Sequence, residues 1–247
     1  MNEWFENDNF WERFAPIMFD EARWAGTAWE TAGVIELSGI RSGGHILDSC
    51  CGVGRHSVEF SKRGFRVTAV DRTKSYITAA QETADAEKQD IEFILGDVRT
   101  FTRPDTYDLA VNLFTSFGFF KNLQDEEQYI KNIYKSLKPD GCFLIDVNGK
   151  EILSRDFVET EAWEKDGTLI YTEYRIEPGW DMLHNRWMIV DPSGERFDFS
   201  FTHRLYSAAE LRRILMSCGF SKTDVYGGFD GKNYDNKADR LIVCAYK

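Results

Sequence analysis

Three aspartates close three separate apolar runs: Asp48 after "HIL", Asp71 after "FRVTAV" and Asp97 after "IEFILG". The first opens the stretch "DSCCGVGRH", in which Gly52 and Gly54 permit a tight bend and close backbone approach. Each apolar run reads as a buried strand. The carboxylates therefore sit at successive strand ends along one edge of a sheet, where open α/β folds bind their ligands. A row of carboxylates repels phosphate. It suits a ligand with positive charge, paired hydroxyls and an exocyclic amino group, all of which donate to carboxylate oxygens.

The usual nucleotide motifs fit poorly. A dinucleotide fingerprint needs a third glycine where this chain has Ser57, and no Gly-Lys-Ser/Thr run marks a P-loop. S-adenosylmethionine (SAM) fits better. Asp48 faces its ammonium end, and the Gly52–Gly54 turn with the following helix start receives its carboxylate. Asp71 accepts from the ribose hydroxyls and Asp97 from the adenine amino group. Val98 and Leu113 flank the ring.

The chain of 247 residues is long enough for one sizeable core. With 41 acidic against 30 basic residues the net charge is −11, which disfavours a nucleic-acid backbone as main partner. No apolar run approaches a membrane span. The acidic, aromatic start "MNEWFENDNFWERF" lacks the pattern of a secretory signal, so a cytoplasmic protein is expected. Five cysteines and four histidines show no metal-ligand or disulfide spacing.

Residues 1–44 read as helices rich in aromatics. From 45 to 150 strands alternate with helices: "HILDS", "FRVTAVD", "IEFILGD", "YDLAVNLF" and "CFLIDVN" are strands, and "RHSVEFSKRG", "SYITAAQETADAEKQ" and "DEEQYIKNIYKSLKPDG" are helices. Alternation of this kind implies parallel pairing. Over 165–206 the segments "TLIYTEYRIE", "MLHNRWMIVD" and "RFDFSFTHRLY" have no helix between them and predict an antiparallel meander. Within 207–247, "SAAELRRILMSCG" is a helix with Ser207 as N-cap and Glu210 completing a capping box, and "DRLIVCAYK" is a last strand. No linker divides the chain, so one domain is expected.

Together these residues resemble the class I SAM-dependent methyltransferases. Asp48, Gly52 and Gly54 match the family's first motif, and Cys50 departs from it where the family usually has glycine. Asp71, Asp97, "YDLAVNLF" and "LKPDG" match later motifs over roughly residues 40–150. The resemblance implies a Rossmann-like α/β fold: seven mostly parallel strands in order 3-2-1-4-5-7-6, the last antiparallel, with helices on both faces. The antiparallel β insertion is similar to that of small-molecule methyltransferases of the amino-sugar and glycine type. SAM is then the cofactor, S-adenosylhomocysteine (SAH) the product, and a nitrogen or oxygen of a small molecule the acceptor. The implied cofactor residues are Asp48, Cys50, Gly52, Gly54 and Asp71. Arg72, Asp97, Val98, Asn112 and Leu113 complete that set.

For the acceptor, Phe114 and Phe117 with Phe119 and Phe120 either wall the pocket or support its floor, and His203 and Arg204 end a strand near it. Strand alternation turns His203 and Arg204 to opposite faces. Cys50 and Cys51 read as small buried residues, and His56 as a packing residue. Arg23 and Trp24 are lid candidates. No residue stands out as a catalytic base, and oligomeric state is not readable. Two other readings remain: a nicotinamide-dependent oxidoreductase, in which Asp71 also holds a ribose, and a non-catalytic SAM-binding or sensing protein.

Overall fold

The structure is a computed structural model and describes residues 3–247; the first two residues of the expected 1–44 segment lie outside it. A short 3-10 turn, Trp4–Glu6, precedes helices α1 (Asp8–Met18) and α2 (Glu21–Ser38). The alternating core then follows as β1 (His45–Ser49), α3 (Arg55–Lys62), β2 (Arg66–Asp71), α4 (Lys74–Ala86) and β3 (Glu92–Leu95). It continues through β4 (Tyr107–Asn112), α5 (Leu123–Ser136), β5 (Leu137–Val147) and α6 (Lys150–Asp156). Next come β6 (Thr160–Lys165), β7 (Thr168–Ile176), β8 (Met182–Val190) and β9 (Arg196–Arg204). The chain closes with α7 (Ala208–Ser217), β10 (Lys222–Tyr226) and β11 (Leu241–Tyr246).

The main sheet has seven strands in the order β10-β11-β5-β4-β1-β2-β3. Read from β3, this is the expected 3-2-1-4-5-7-6, with β11 in the seventh place. β1 pairs parallel with β2 and β4, while β11 runs antiparallel to both β5 and β10. One face is covered by α5 and α7, whose Tyr129, Ile133, Leu211 and Leu215 pack on Leu47, Phe143 and Val243. The other face carries α2, α3 and α4 through Val34, Val58, Phe60 and Ala84. Burying one such aliphatic or aromatic side chain contributes roughly 1.5–3 kcal/mol, so both layers clamp the strand ends in place.

The meander forms a second sheet of order β6-β7-β8-β9, separate from the first. It begins at Thr160, earlier than the expected 165, because β6 adds an edge strand paired only with β7. Two exposed glutamates and a half-buried lysine along "TEAWEK" hide its apolar pattern. Phe10 and Phe14 of α1 lie across the inner face of this sheet against Ile170 and Ile189. Helix α5 stops at Ser136 instead of running on through "LKPDG"; buried Leu137 is already extended and pairs with Tyr107. Pro139 disfavours helical backbone at Lys138 and would clash with the preceding turn. No helix among the described residues is long and apolar enough to cross a membrane.

Candidate active site

Beyond the end of β1 the chain makes three left-handed steps, at Cys50 (φ 63°), Gly52 (φ 56°) and Gly54 (φ 74°). The bend is tied to the neighbouring strand, since Cys50 N–H and Cys51 N–H both donate to the Val70 carbonyl, at 2.8 and 3.1 Å. Gly54 caps α3, and a Cβ there would lie 2.8 Å from the Ala80 Cβ. Cys50 takes the left-handed conformation with a side chain, at a cost of about 1–2 kcal/mol relative to the right-handed basin. That explains why the resembled family favours glycine at this position.

The three strand-end carboxylates are held differently. Asp48 is buried, and Ser57 Oγ donates to its Oδ2 at 2.5 Å. Burial pushes the Asp48 pKa up, opposed by nearby His56 and the Ser57 bond. Ser57, which argues against a dinucleotide fingerprint in the sequence, thus has a structural task that only the fold reveals. Asp71 Oδ2 accepts from Gly52 N–H and its Oδ1 from Thr73 N–H, both at 2.9 Å, so the acid braces the turn. Burial raises its pKa as well.

Asp97 differs from the expectation of a free acceptor. Arg99 Nε lies 3.0 and 2.9 Å from its two oxygens, and Arg99 Nη2 lies 2.5 Å from Oδ2. Burial pushes the Asp97 pKa up, but the Arg99 hydrogen bonds outweigh it and hold the group below its ordinary value. Arg99 follows Asp97 by only two residues, the spacing of a local side-chain fork. Its Nη2 also reaches Glu6 Oε1 at 3.0 Å, which ties the N-terminal segment to this edge.

These groups face one cavity of about 580 Å³ between the carboxyl edge of the main sheet, the N-terminal helices and the small sheet. Asp48, Cys50, Gly52, Asp71, Asp97 and Val98 line it together, joined by Leu113 and Phe114. Trp4, Phe5, Phe10 and Trp11 roof it. Gly54 stands behind the turn and supports it. Arg72 Nη1 donates to the Phe5 carbonyl at 2.6 Å and meets Asp8 Oδ1 at 3.3 Å, so it fastens the N-terminal roof at the cavity rim. Arg23 lines the exposed mouth, whereas Trp24 is outside the wall.

Three expected contacts fall away from the cavity. Asn112 is fully buried behind its wall, where its Nδ2 donates to Tyr129 Oη at 3.0 Å. Phe117 is core, packed 6.1 Å from the Tyr129 ring and 5.2 Å from the Tyr206 ring. Arg204 faces away from His203, with its Nε 3.6 Å from Glu126 Oε1. The sequence marks all three only by proximity to strand ends, and side-chain direction decides against them.

The structure brings in residues that the sequence pattern did not single out. Glu30 of α2 pairs with Arg55 and, at 2.9 Å, with His56 Nε2. Burial lowers the His56 pKa, with the Glu30 bond opposing it. Phe114, itself left-handed at φ 57°, stacks its ring 5.5 Å from His56 and lies 4.2 Å from the Arg55 guanidinium. Trp163, Tyr174, Asn185, Trp187 and Phe201 of the small sheet join His203 on the far wall. Their signal in the sequence is strand alternation, which becomes informative once the facing partner is known. No cluster of three or more His, Cys, Asp or Glu suited to a metal occurs among the described residues.

A family profile described as a methyltransferase domain matches residues 46–141, the segment that carries the turn and all three strand-end acids. Residues 46–141 are a methyltransferase domain. The chain is 26% identical over 209 residues to a Bacillus subtilis (strain 168) protein described provisionally as the methyltransferase YqeM, covering 83% of this chain and 84% of that one. It is 25% identical over 214 residues to the glycine/sarcosine N-methyltransferase of Aphanothece halophytica, covering 82% and 76% of the two chains. A crystal structure of a SAM-dependent methyltransferase from Clostridium acetobutylicum ATCC 824 superposes with TM-score 0.80 at 17% identity, over 97% of this chain and 98% of that one. The chain therefore shares the overall fold of that protein along nearly its whole length.

Proposed function

We propose that this cavity binds SAM along the carboxyl edge of the main sheet and a small-molecule acceptor under the small sheet, with a nitrogen or oxygen of the acceptor receiving the methyl group. The observation that carries this reading is the Asp71 carboxylate, braced by Gly52 N–H and Thr73 N–H beside the turn and open to the same cavity as Asp48. Each of its oxygens accepts one backbone donor and keeps a lone pair for a ribose hydroxyl.

The residues present fit the cofactor. Asp48 supplies the counter-charge for an ammonium, and the exposed Arg23 at the mouth suits a carboxylate. Val98 and Leu113 offer apolar faces for adenine. The charge of Asp97 is neutralised by Arg99, so its part in holding the amino group is shared with that pair. SAM, when bound, supplies a methyl on a positively charged sulfur that becomes neutral on transfer. The chain's own task is to hold both partners in line and to exclude water, which favours loss of charge and supplies most of the rate. Trp4, Trp11 and Phe119 form the dry roof, and no side chain is assigned as base.

On this reading residues 1–247 form one methyltransferase domain. Residues 1–44 close over the cofactor, 45–150 hold it, the insertion around 165–206 faces the acceptor through His203 and Phe114 opposite, and 207–247 complete the sheet. The net charge of −11 argues against nucleic acid as acceptor, and five free thiols suit a reducing compartment such as the cytoplasm.

The test is a thermal-stability titration with SAM, SAH and NAD. A ligand at a hundredfold excess over its dissociation constant adds about 2.7 kcal/mol. SAM and SAH are expected to stabilise, and stabilisation by NAD alone would replace this reading with a dehydrogenase.

A further inference from the structure

The wall opposite the carboxyl edge is built by β8 and β9, which set Asn185 opposite Phe201 and Leu183 opposite His203. The Asn185 amide has one possible orientation. Its Nδ2 lies 3.2 Å from the Leu183 carbonyl and 3.4 Å from the Phe201 carbonyl, and two acceptors at one atom require it to be the NH₂. The same atom lies 3.3 Å from His203 Nδ1. Nδ1 therefore accepts, and the ring proton sits on Nε2. His203 offers the cavity an N–H and no lone pair. Burial alone pushes its pKa down to about 4, so the ring is uncharged at neutral pH.

Two further donors on this side have no partner among the described residues. The indole N–H groups of Trp4 and Trp187 are buried without a hydrogen bond, although both side chains line the cavity. None of the residues that the small sheet gives to the wall is a carboxylate, and its one cation, Lys165, is paired with Asp20 at 3.2 Å. A cationic amine placed against this wall finds no carboxylate of the small sheet to replace its hydration, and the nearby Asp20 is already paired with Lys165. The remaining surface is flat and aromatic: Trp4 stacks on Phe201 with ring centres 4.6 Å apart, and Phe119 meets the edges of Trp4 at 4.8 Å and His203 at 6.1 Å. Such surfaces take up planar rings.

We propose that the acceptor is a flat, uncharged aromatic molecule carrying a ring carbonyl or ring nitrogen that accepts from His203 Nε2–H, beside the hydroxyl or N–H that takes the methyl group. The proposal rests on the methyltransferase reading and narrows its acceptor class. An acceptor carrying hydrogen-bond acceptors answers the donors of this wall, His203 Nε2–H and the two indole N–H groups. Amino sugars and free amino acids, which arrive cationic, do not.

The experiment measures binding to the protein–SAH complex by titration calorimetry, with 4-hydroxy-2-quinolone, D-glucosamine and glycine as probes. The quinolone is expected to bind at least about tenfold more tightly than either amine, the equivalent of one well-made polar contact. His203→Ala is expected to weaken it about tenfold with SAH affinity unchanged, and His203→Gln, which keeps an N–H donor, to restore most of that loss. Trp187→Phe keeps the ring bulk, removes one donor and is expected to weaken the quinolone severalfold. Absence of quinolone binding, tighter binding of glucosamine or glycine, or a quinolone affinity indifferent to these substitutions overturns the proposal while SAH still binds. Failure of wild-type protein to bind SAH overturns the underlying methyltransferase reading and the proposal with it.

Discussion

Asp71 and Gly52 are joined across the first two strand ends: the carboxylate Oδ2 of one accepts the backbone N–H of the other at 2.9 Å. One side chain thus holds the turn and, in the proposed function, the ribose. Asp71→Ala is expected to remove most of the stabilisation that SAH gives to the wild type, about 2.7 kcal/mol at a hundredfold excess. Asp71→Asn, which keeps one acceptor oxygen, retains part of it. Scanning fluorimetry with and without SAH checks this, and an undiminished SAH response in Asp71→Ala would place the ribose elsewhere.

Cys50 occupies a left-handed step at φ 63°. A β-branched side chain is worse there and glycine better. Cys50→Val is expected to lower stability by about 1–2 kcal/mol in urea unfolding, while Cys50→Gly leaves it equal or slightly higher. The thiol itself is expected to react slowly with iodoacetamide, because burial and the surrounding aspartates push its pKa well up. Rapid alkylation at pH 8 would contradict that environment.

Much of this architecture is legible in the sequence because local signals and burial agree. The strands before Asp48, Asp71 and Asp97 are short apolar runs with glycine or polar stops, and the Ser207–Glu210 capping box appears as expected, with Ser207 N–H donating to Glu210 Oε2 at 2.8 Å. What escaped depends on partners distant in the chain. Strand β6 exists because β7 pairs with it, although its own side chains are mostly exposed. Arg72 and Arg99 grip the N-terminal segment across more than sixty positions, a distance no periodicity reports. Asn112 and Phe117 have the right neighbourhood and the wrong direction.

Phe117 tests that distinction. As a core residue only 2% exposed, its loss should be felt in stability and not in cofactor binding. Phe117→Ala is expected to cost about 3–5 kcal/mol, a fall in melting temperature on the order of 10 °C for a chain of this length. SAH affinity at a temperature where the variant is folded stays near the wild-type value. A weakened ligand with unchanged stability would return Phe117 to the pocket wall.

Glu126 lies fully buried on α5, where it accepts from Tyr206 Oη, and burial pushes its pKa up to about 7. Arg204 Nε stands 3.6 Å away and only partly offsets that burial. A carboxyl whose folded pKa is raised favours the folded state in its protonated form. Its contribution is fully present below the unfolded value, near 4.3, and is lost as pH rises through about 7. Between those limits the wild type is therefore expected to lose on the order of 3–4 kcal/mol from this group. Glu126→Gln keeps the acceptor for Tyr206 and cannot ionise. Its stability should match the wild type near pH 4.5 and exceed it at pH 8, the gap opening progressively between. Urea melts of both proteins across that range decide the matter: parallel pH profiles would mean that Glu126 is already ionised in the fold and that Arg204 carries its charge.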